Sequence, residues 1–320
     1  MYRCRFCGTE YQNLEGLDHS DEGFFCDDCD SFTYFQHIKN KHQFKLFLEE
    51  NGEANQKSAQ IKFNKRLSPL RYPGGKTKML PQMIQSINNE NTKTFVEPFA
   101  GGAGVGLALL DANLIENYVL NDIDFGIYAL FEIIKNNPDE LIYIIKNIVP
   151  TRENFFEART KIQNKYITCS LIDAAWSLLI TNRLAYSGIT KANPLGGKNG
   201  TNEQLLSRWN PCDLIKRITK IHSFGNKITV TNQDALQVIE EYYWTPNTTI
   251  FVDPPYFKKG KQLYTHYYET GQHIELSNLL QSLSTGCPGA DIILTYDNEP
   301  FIKELYFWSP PQNITLKYSI

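Results

Sequence analysis

The 320-residue chain is 42% hydrophobic and 21% charged, with a formal net charge of −3 and seven cysteines. That is the balance of a folded soluble protein with room for one large domain and a small one, or for two medium ones, and the charge alone argues neither for nor against nucleic acid. No apolar run nears the ~20 residues of a membrane span. The polar start, Met1-Tyr2-Arg3-Cys4, lacks the apolar stretch of a signal peptide, so a cytoplasmic protein with reduced thiols is expected.

Charge is unevenly spread. Residues 1–50 hold ten acidic and five basic side chains, a net −5, which leaves +2 for the rest. Within this acidic stretch Cys4-Arg5-Phe6-Cys7 and Cys26-Asp27-Asp28-Cys29 form two Cys-x-x-Cys hooks with eighteen residues between them. A tetrahedral zinc ion takes four thiolates, and two hooks folded together supply them. A redox pair or incidental cysteines are the alternatives. Tyr11, Phe24 and Phe25 fill the gap, as in a zinc ribbon. The ion is expected to be structural, because four thiolates leave no open position and so short a segment needs metal to hold its shape. His19, His37 and His42 are read as surface or packing residues. The acidic balance argues against simple phosphate contact, so the module is as well suited to docking on the main domain or on a partner protein as to DNA. Ile38, Phe44, Phe47 and Leu48 predict a helix over 36–50. The polar run that follows predicts a linker, dividing the chain into a zinc module (1–50), a linker (51–65) and a main domain (66–320).

Residues 61–78 carry Lys62, Lys65, Arg66, Arg71, Lys76 and Lys78 with no acid, a patch that suits phosphates or a solvated basic face. Leu70-Arg71-Tyr72-Pro73-Gly74-Gly75-Lys76 is a glycine-rich turn before a helix over 77–88, without the spacing of a Walker loop. Thr94-Phe95-Val96-Glu97 then reads as a strand, Pro98-Phe99-Ala100-Gly101-Gly102-Ala103-Gly104 as a glycine turn, and Val105 onward as a helix. That is the first unit of a doubly wound sheet, whose turn lets backbone approach a ligand. The next strand, Tyr118-Val119-Leu120, ends in Asn121-Asp122-Ile123-Asp124. An acid there, roughly 20 residues past a glycine loop, is placed for ribose hydroxyls; Asp122 fits that role and Asp124 a helix cap.

Helices are expected over 127–149 with a break at Asn136-Asn137-Pro138, then over 151–165 and 169–182. The Gly/Asn-rich run 193–202 is too long for a plain connector, and residues 191–220 carry a basic excess. Ile228-Thr229-Val230-Thr231 is a third strand, with Asp234 just past its carboxyl end. Ile250-Phe251-Val252 is a fourth, stopped by Asp253-Pro254-Pro255-Tyr256, because neither proline can donate a ladder hydrogen bond. An exposed Tyr/Lys-rich segment (258–273), a helix (275–284), a strand (291–296), a helix (299–305) and a strand (314–318) complete the pattern. Four strands thus end in a glycine loop, an acid, an acid and Asp-Pro-Pro-Tyr, at the edge where open α/β sheets bind ligands.

These motifs, together with Arg71-Tyr72-Pro73-Gly74-Gly75-Lys76 and Asn182-Arg183…Tyr186-Ser187-Gly188, stand in an order that resembles the Dam-type DNA adenine methyltransferases from about residue 66 to the end. The resemblance implies a Rossmann-like methyltransferase sheet with a target-recognition insert at about 150–225, S-adenosylmethionine as methyl donor and double-stranded DNA as substrate. It implies that Tyr72, Lys76, Asp122 and Asp253 contact S-adenosylmethionine, with Glu97, Pro98, Phe99, Gly101 and Asp234 lining its pocket. Asp253 and the Pro254 carbonyl would orient the adenine amino group, Pro255 would fix the turn, and Tyr256 would stack on the extruded base. Methylation of the cytosine exocyclic amino group, by the same chemistry, and a non-catalytic DNA- or protein-binding relative are the competing functions. The zinc module departs from the family pattern. So does the end at Ile320, where relatives continue, and a shortened tail is expected to weaken DNA binding or activity.

Overall fold

The computed structural model describes residues 2–3, 9–11, 17, 23–27, 31–34, 43–51, 67–71, 76–87, 92–258, 260, 266–286 and 288–316. Near the N-terminus, β1 (Tyr2–Arg3) pairs with β2 (Glu10–Tyr11), and β3 (Gly23–Cys26) with β4 (Ser31–Tyr34), both antiparallel. Cys26 closes β3, buried, with its Sγ 3.0 Å from the Tyr11 hydroxyl. Cys4, Cys7 and Cys29 lie outside the described residues, and among the described residues no group of three or more His, Cys, Asp or Glu side chains is arranged to hold a metal.

The centre of the molecule is a seven-stranded sheet. Its strands are β5 (Phe44–Asn51), β6 (Thr94–Glu97), β7 (Asn117–Asn121), β8 (Ile228–Thr231), β9 (Thr248–Val252), β10 (Asp291–Asp297) and β11 (Gln312–Leu316), in the order β11-β5-β10-β9-β6-β7-β8. Each neighbouring pair is parallel. Parallel sheets are covered on both faces, so their strands carry continuous apolar runs. Phe47, Phe95, Tyr118, Leu120 and Phe251 pack on one side with α2 (Gly104–Asp111) and α3 (Phe125–Asn136). Leu46, Val96, Val119, Ile250 and Val252 pack on the other, against a helix at Ala235–Tyr243 and one at Thr270–Thr285. This is the doubly wound α/β architecture that the sequence pattern predicts.

One strand overturns an expectation. The helix predicted over 36–50 is, from Phe44, strand β5, inserted between β10 and β11. Residues 36–42 lie outside the described residues. Leu46, Phe47 and Leu48 are all buried, which a strand enclosed on both faces requires and a one-sided amphipathic helix does not. The sheet therefore draws a member from sequence well before residue 66.

The helices expected between β7 and β8 form, joined by two that were not expected, Asn202–Leu206 and Pro211–His222. α3 stops at Asn136 and α4 (Asp139–Asn147) restarts after Pro138, where the break is predicted. α5 (Arg152–Gln163) and α6 (Leu171–Leu184) follow. From Ala174 to Leu184 α6 is almost wholly buried, and Ala174, Ala175, Leu178 and Leu179 join the same core as α2 and α3. The Gly/Asn-rich run is drawn in by Arg152, whose guanidinium donates to the carbonyls of Gly200 (3.1 Å), Thr201 (3.0 Å), Leu195 (3.4 Å) and Gly197. Among the described residues no helix is long and apolar enough to cross a membrane.

Candidate active site

Strand order fixes where the site lies. From β6 the chain moves outward through β7 to β8, then returns to place β9 on the other flank of β6. The carboxyl ends of β6 and β9 therefore diverge at a topological switch point, where such sheets open a crevice. The glycine turn follows β6 and Asp253-Pro254-Pro255-Tyr256 follows β9.

Asn121, at the end of β7 and fully buried, ties three strand ends together. Its amide donates to the carbonyls of Pro98 (2.9 Å) and Gln233 (3.0 Å), and its oxygen accepts from Thr231 Oγ1 (2.8 Å) and Gln233 N (2.9 Å). Next to it, Asp122 Oδ2 accepts the Gly101 amide at 2.8 Å and Oδ1 the Asp124 amide at 2.9 Å. The glycine turn and the second-strand acid are thus one hydrogen-bonded unit. Asp124 caps α3 through the Gly126 amide (2.9 Å), as its position predicts. Asp234 caps the helix Ala235–Tyr243 through the Leu236 amide (2.8 Å) and stays exposed on the rim.

On the β9 side, Asp253 Oδ2 accepts from Lys76 Nζ and Oδ1 from Thr295 Oγ1, both at 2.8 Å. Lys76 belongs to the basic stretch between β5 and β6, yet only 4% of it is exposed. Its ammonium sits 4.6 Å over the half-buried Tyr256 ring and 3.4 Å from Glu49 Oε1. Burial raises the Asp253 carboxyl above the ordinary range; Lys76 opposes the shift and Glu49 reinforces it. The turn after Asp253 is pinned by Asp297, whose carboxylate accepts the Phe257 and Lys258 amides at 3.2 Å. The segment expected to be exposed through 273 closes differently. His273 is fully buried, with Nδ1 2.7 Å from the Tyr296 hydroxyl, and Tyr268 stands edge-on to Phe99 at 5.6 Å.

Glu97 is enclosed. It accepts from the Tyr118 hydroxyl and from the Gly106 amide (3.1 Å), but burial outweighs both and pushes its carboxyl up to about 8. Burial, then the Asp124 charge, pushes Asp122 up to about 7. Above the ~4.3 of an exposed glutamate, native Glu97 keeps a proton that the unfolded chain has released. Since the native state then binds more protons, stability falls as pH rises from about 4 to 8 and levels off beyond. Asp122 adds to that slope up to about 7. Glu97→Gln is therefore expected to flatten the decline of Tm between pH 5 and 8, and an unchanged slope would show that Glu97 does not hold this proton.

Lys76, Glu97, Pro98, Phe99, Asp122, Asp234, Asp253 and Pro255 line one cleft of about 740 Å3, with Gly101 in the turn beside Asp122. The volume lies in the ~300–1,000 Å3 range of small-molecule sites. Tyr72 lies outside the described residues. Sequence reasoning passed over Glu49, Tyr118 and Thr295 and quoted Asn121 only as part of a motif. Tyr118 and Thr295 sit in strand runs, where aromatic and β-branched residues ordinarily serve packing. The donor set, several carboxyl groups beside an aromatic wall and an open glycine backbone, fits a cationic nucleoside with ribose hydroxyls.

Residues 72–314 match the sequence model of a family described as D12 class N6 adenine-specific DNA methyltransferase. Among similar proteins is the type II methyltransferase M.CviBI of Paramecium bursaria Chlorella virus NC1A. It is 26% identical over 242 residues, covering 74% of this chain and 85% of the viral protein. The type II methyltransferase M.MjaIII of Methanocaldococcus jannaschii is 23% identical over 261 residues, covering 74% and 86%. The DNA N-6-adenine-methyltransferase of Escherichia phage P1 is 25% identical over 264 residues, covering 81% of this chain and 33% of the phage protein.

Proposed function

Since the chain belongs to the D12 class N6 adenine-specific DNA methyltransferases, we propose that the cleft between β6 and β9 binds S-adenosylmethionine and that Asp253-Pro254-Pro255-Tyr256 presents an extruded adenine to it. The carrying observation is Asp253 at the carboxyl end of β9, held from two sides by Lys76 and Thr295 and opening on the same cleft as the glycine turn and Asp122. S-adenosylmethionine, when bound, supplies an electrophilic methyl group on a sulfonium. Asp122 would accept its ribose hydroxyls, and Lys76, Glu97, Pro98, Phe99, Gly101 and Asp234 would line its pocket; Tyr72, implied as a further contact by the family resemblance, lies outside the described residues.

The adenine amino nitrogen is a poor nucleophile because its lone pair is delocalised into the ring. Accepting its two N–H bonds at the Asp253 carboxylate and the Pro254 carbonyl draws it toward tetrahedral geometry and localises the lone pair. The remaining rate enhancement comes from alignment in a site closed to water. Tyr256 stacks on the base, a contact of ~1–3 kcal/mol, which offsets the few kcal/mol of unstacking. Residues 150–225 are the target-recognition insert; their base contacts set which adenine is chosen.

Incubation with tritiated S-adenosylmethionine and mixed-sequence duplex DNA should place label in N6-methyladenine. Label in cytosine would mark the cytosine reading, and binding of DNA without turnover the non-catalytic one. A structural zinc on Cys4, Cys7, Cys26 and Cys29 is a second part of the proposal, supported by the two Cys-x-x-Cys hooks and by the burial of Cys26. The module's acidic surface would then face a protein partner rather than DNA phosphates. Chelation should release about one zinc ion per chain, and elemental analysis finding none would remove the ion from the account.

A further inference from the structure

The Lys76 ammonium has carboxylates on two sides: Asp253 Oδ2 at 2.8 Å and Glu49 Oε1 at 3.4 Å, with the Lys76 and Glu49 side chains only 3% and 5% exposed. Asp253 is an expected family feature. Glu49 is not: it comes from β5, ahead of the residues 72–314 that match the family. In the β5–β10 register Glu49 stands opposite Asp297, whose carboxylate pins the turn after Asp253, and the Glu49 carbonyl accepts the Asn298 amide at 3.3 Å. A carboxylate this enclosed is costly unless it is paired.

We propose that Glu49 is a positioning residue for methyl transfer, sharing the Lys76 ammonium with Asp253 so that the Asp253 carboxylate keeps its strength as acceptor for the target amino group. The inference rests on the reading of Asp253 as that acceptor. With Lys76 shared between two carboxylates, its positive charge is only partly spent on Asp253. With glutamine at position 49, more of the ammonium's charge would fall on Asp253 and weaken its hold on an incoming N–H. The titratable groups facing Asp253 are Lys76, from the stretch between β5 and β6, Glu49 from β5 and Glu97 from β6, the last held protonated by burial; Thr295 on β10 is neutral.

The test compares the full-length wild type with Glu49→Gln and Glu49→Ala. Glutamine keeps the shape and one acceptor oxygen while removing the charge. Its kcat/KM for DNA methylation should fall about 10–100-fold, by analogy with the groups that orient metal ligands. Carbon-13 NMR titration of the Asp253 carboxyl, assigned with Asp253→Asn, should show the midpoint moving to lower pH in Glu49→Gln, because a like charge has been taken away. A packing role would reduce activity in the alanine variant, spare the glutamine variant and leave the midpoint where it was. Either a Glu49→Gln enzyme within twofold of wild type or an unmoved midpoint overturns the proposal. If wild type labels no adenine, the activity reading fails on its own, and the titration still decides the part played by Glu49.

Discussion

Asp253→Asn is expected to lower the rate of methyl transfer by about 10²–10³-fold, the scale on which one preorganised hydrogen-bonding group contributes. Both Asp253 oxygens accept hydrogen bonds, from Lys76 and from Thr295. An amide offers only one acceptor, and the Lys76 ammonium, which cannot accept, will claim it. The NH2 end then faces Thr295, whose hydroxyl can reverse and accept. The variant can therefore fold with the same contacts while it loses the negative charge that attracts the amino group. Single-turnover assays with saturating S-adenosylmethionine and DNA isolate the chemical step, and a rate within threefold of wild type would remove Asp253 from it. Asp253→Ala is a poorer probe, because it also takes from Lys76 its 2.8 Å carboxylate partner.

Gly106→Ala should destabilise the protein although it sits inside helix α2. Alanine is favoured over glycine in a helix interior by ~1 kcal/mol. Here, though, a Cβ would lie 2.1 Å from Tyr118 Cε2 and 2.4 Å from Cζ. Tyr118 is fully buried and donates its hydroxyl to Glu97, so the ring cannot move aside without giving up that bond. Overpacking costs ~1–3 kcal/mol, and a buried carboxyl losing a donor costs ~1–3 kcal/mol more. After the helix-propensity gain, a net loss of about 1–5 kcal/mol remains, or a Tm lower by several degrees at ~2–4 °C per kcal/mol. Differential scanning fluorimetry would measure it. An equal or higher Tm would mean that the ring accommodates the methyl group.

The sheet was legible where its strands are short apolar runs followed by punctuation. β6, β7, β8 and β9 each end in a turn or acid whose chemistry differs from the strand, and their helices return at predictable distance. β5 was illegible for a physical reason. Phe44, Phe47 and Leu48 satisfy a helical spacing, and a strand buried on both faces has no alternation to betray it. Its partners are set by contacts far along the chain: the Gln43 amide donates to Asp291, 248 residues on. Glu49 shared that fate, because its meaning depends on a lysine 27 positions later in sequence that no local pattern connects to it. Lys76 could be read as a member of a motif, but its burial could not. In a run of six cations without an acid, a solvated face is the ordinary outcome, and only the fold reveals two carboxylates closing on one of them.

The place of β5 has a consequence for how the chain is made. In the sheet, β11 pairs with β5, and β5 with β10. On a ribosome β5 emerges ahead of β10, since Asp291, where β10 begins, is 248 residues beyond Gln43. At ~5–20 residues per second, the nascent strand waits about 10–50 s with both hydrogen-bonding edges unclaimed and a run of large apolar side chains between them. Unpaired edges of that kind recruit other chains. Expression yield should therefore depend on chaperone supply and growth temperature more than the stability of the finished sheet would suggest. Slowing synthesis should help least, because it lengthens the interval during which the first strand of the core stands alone.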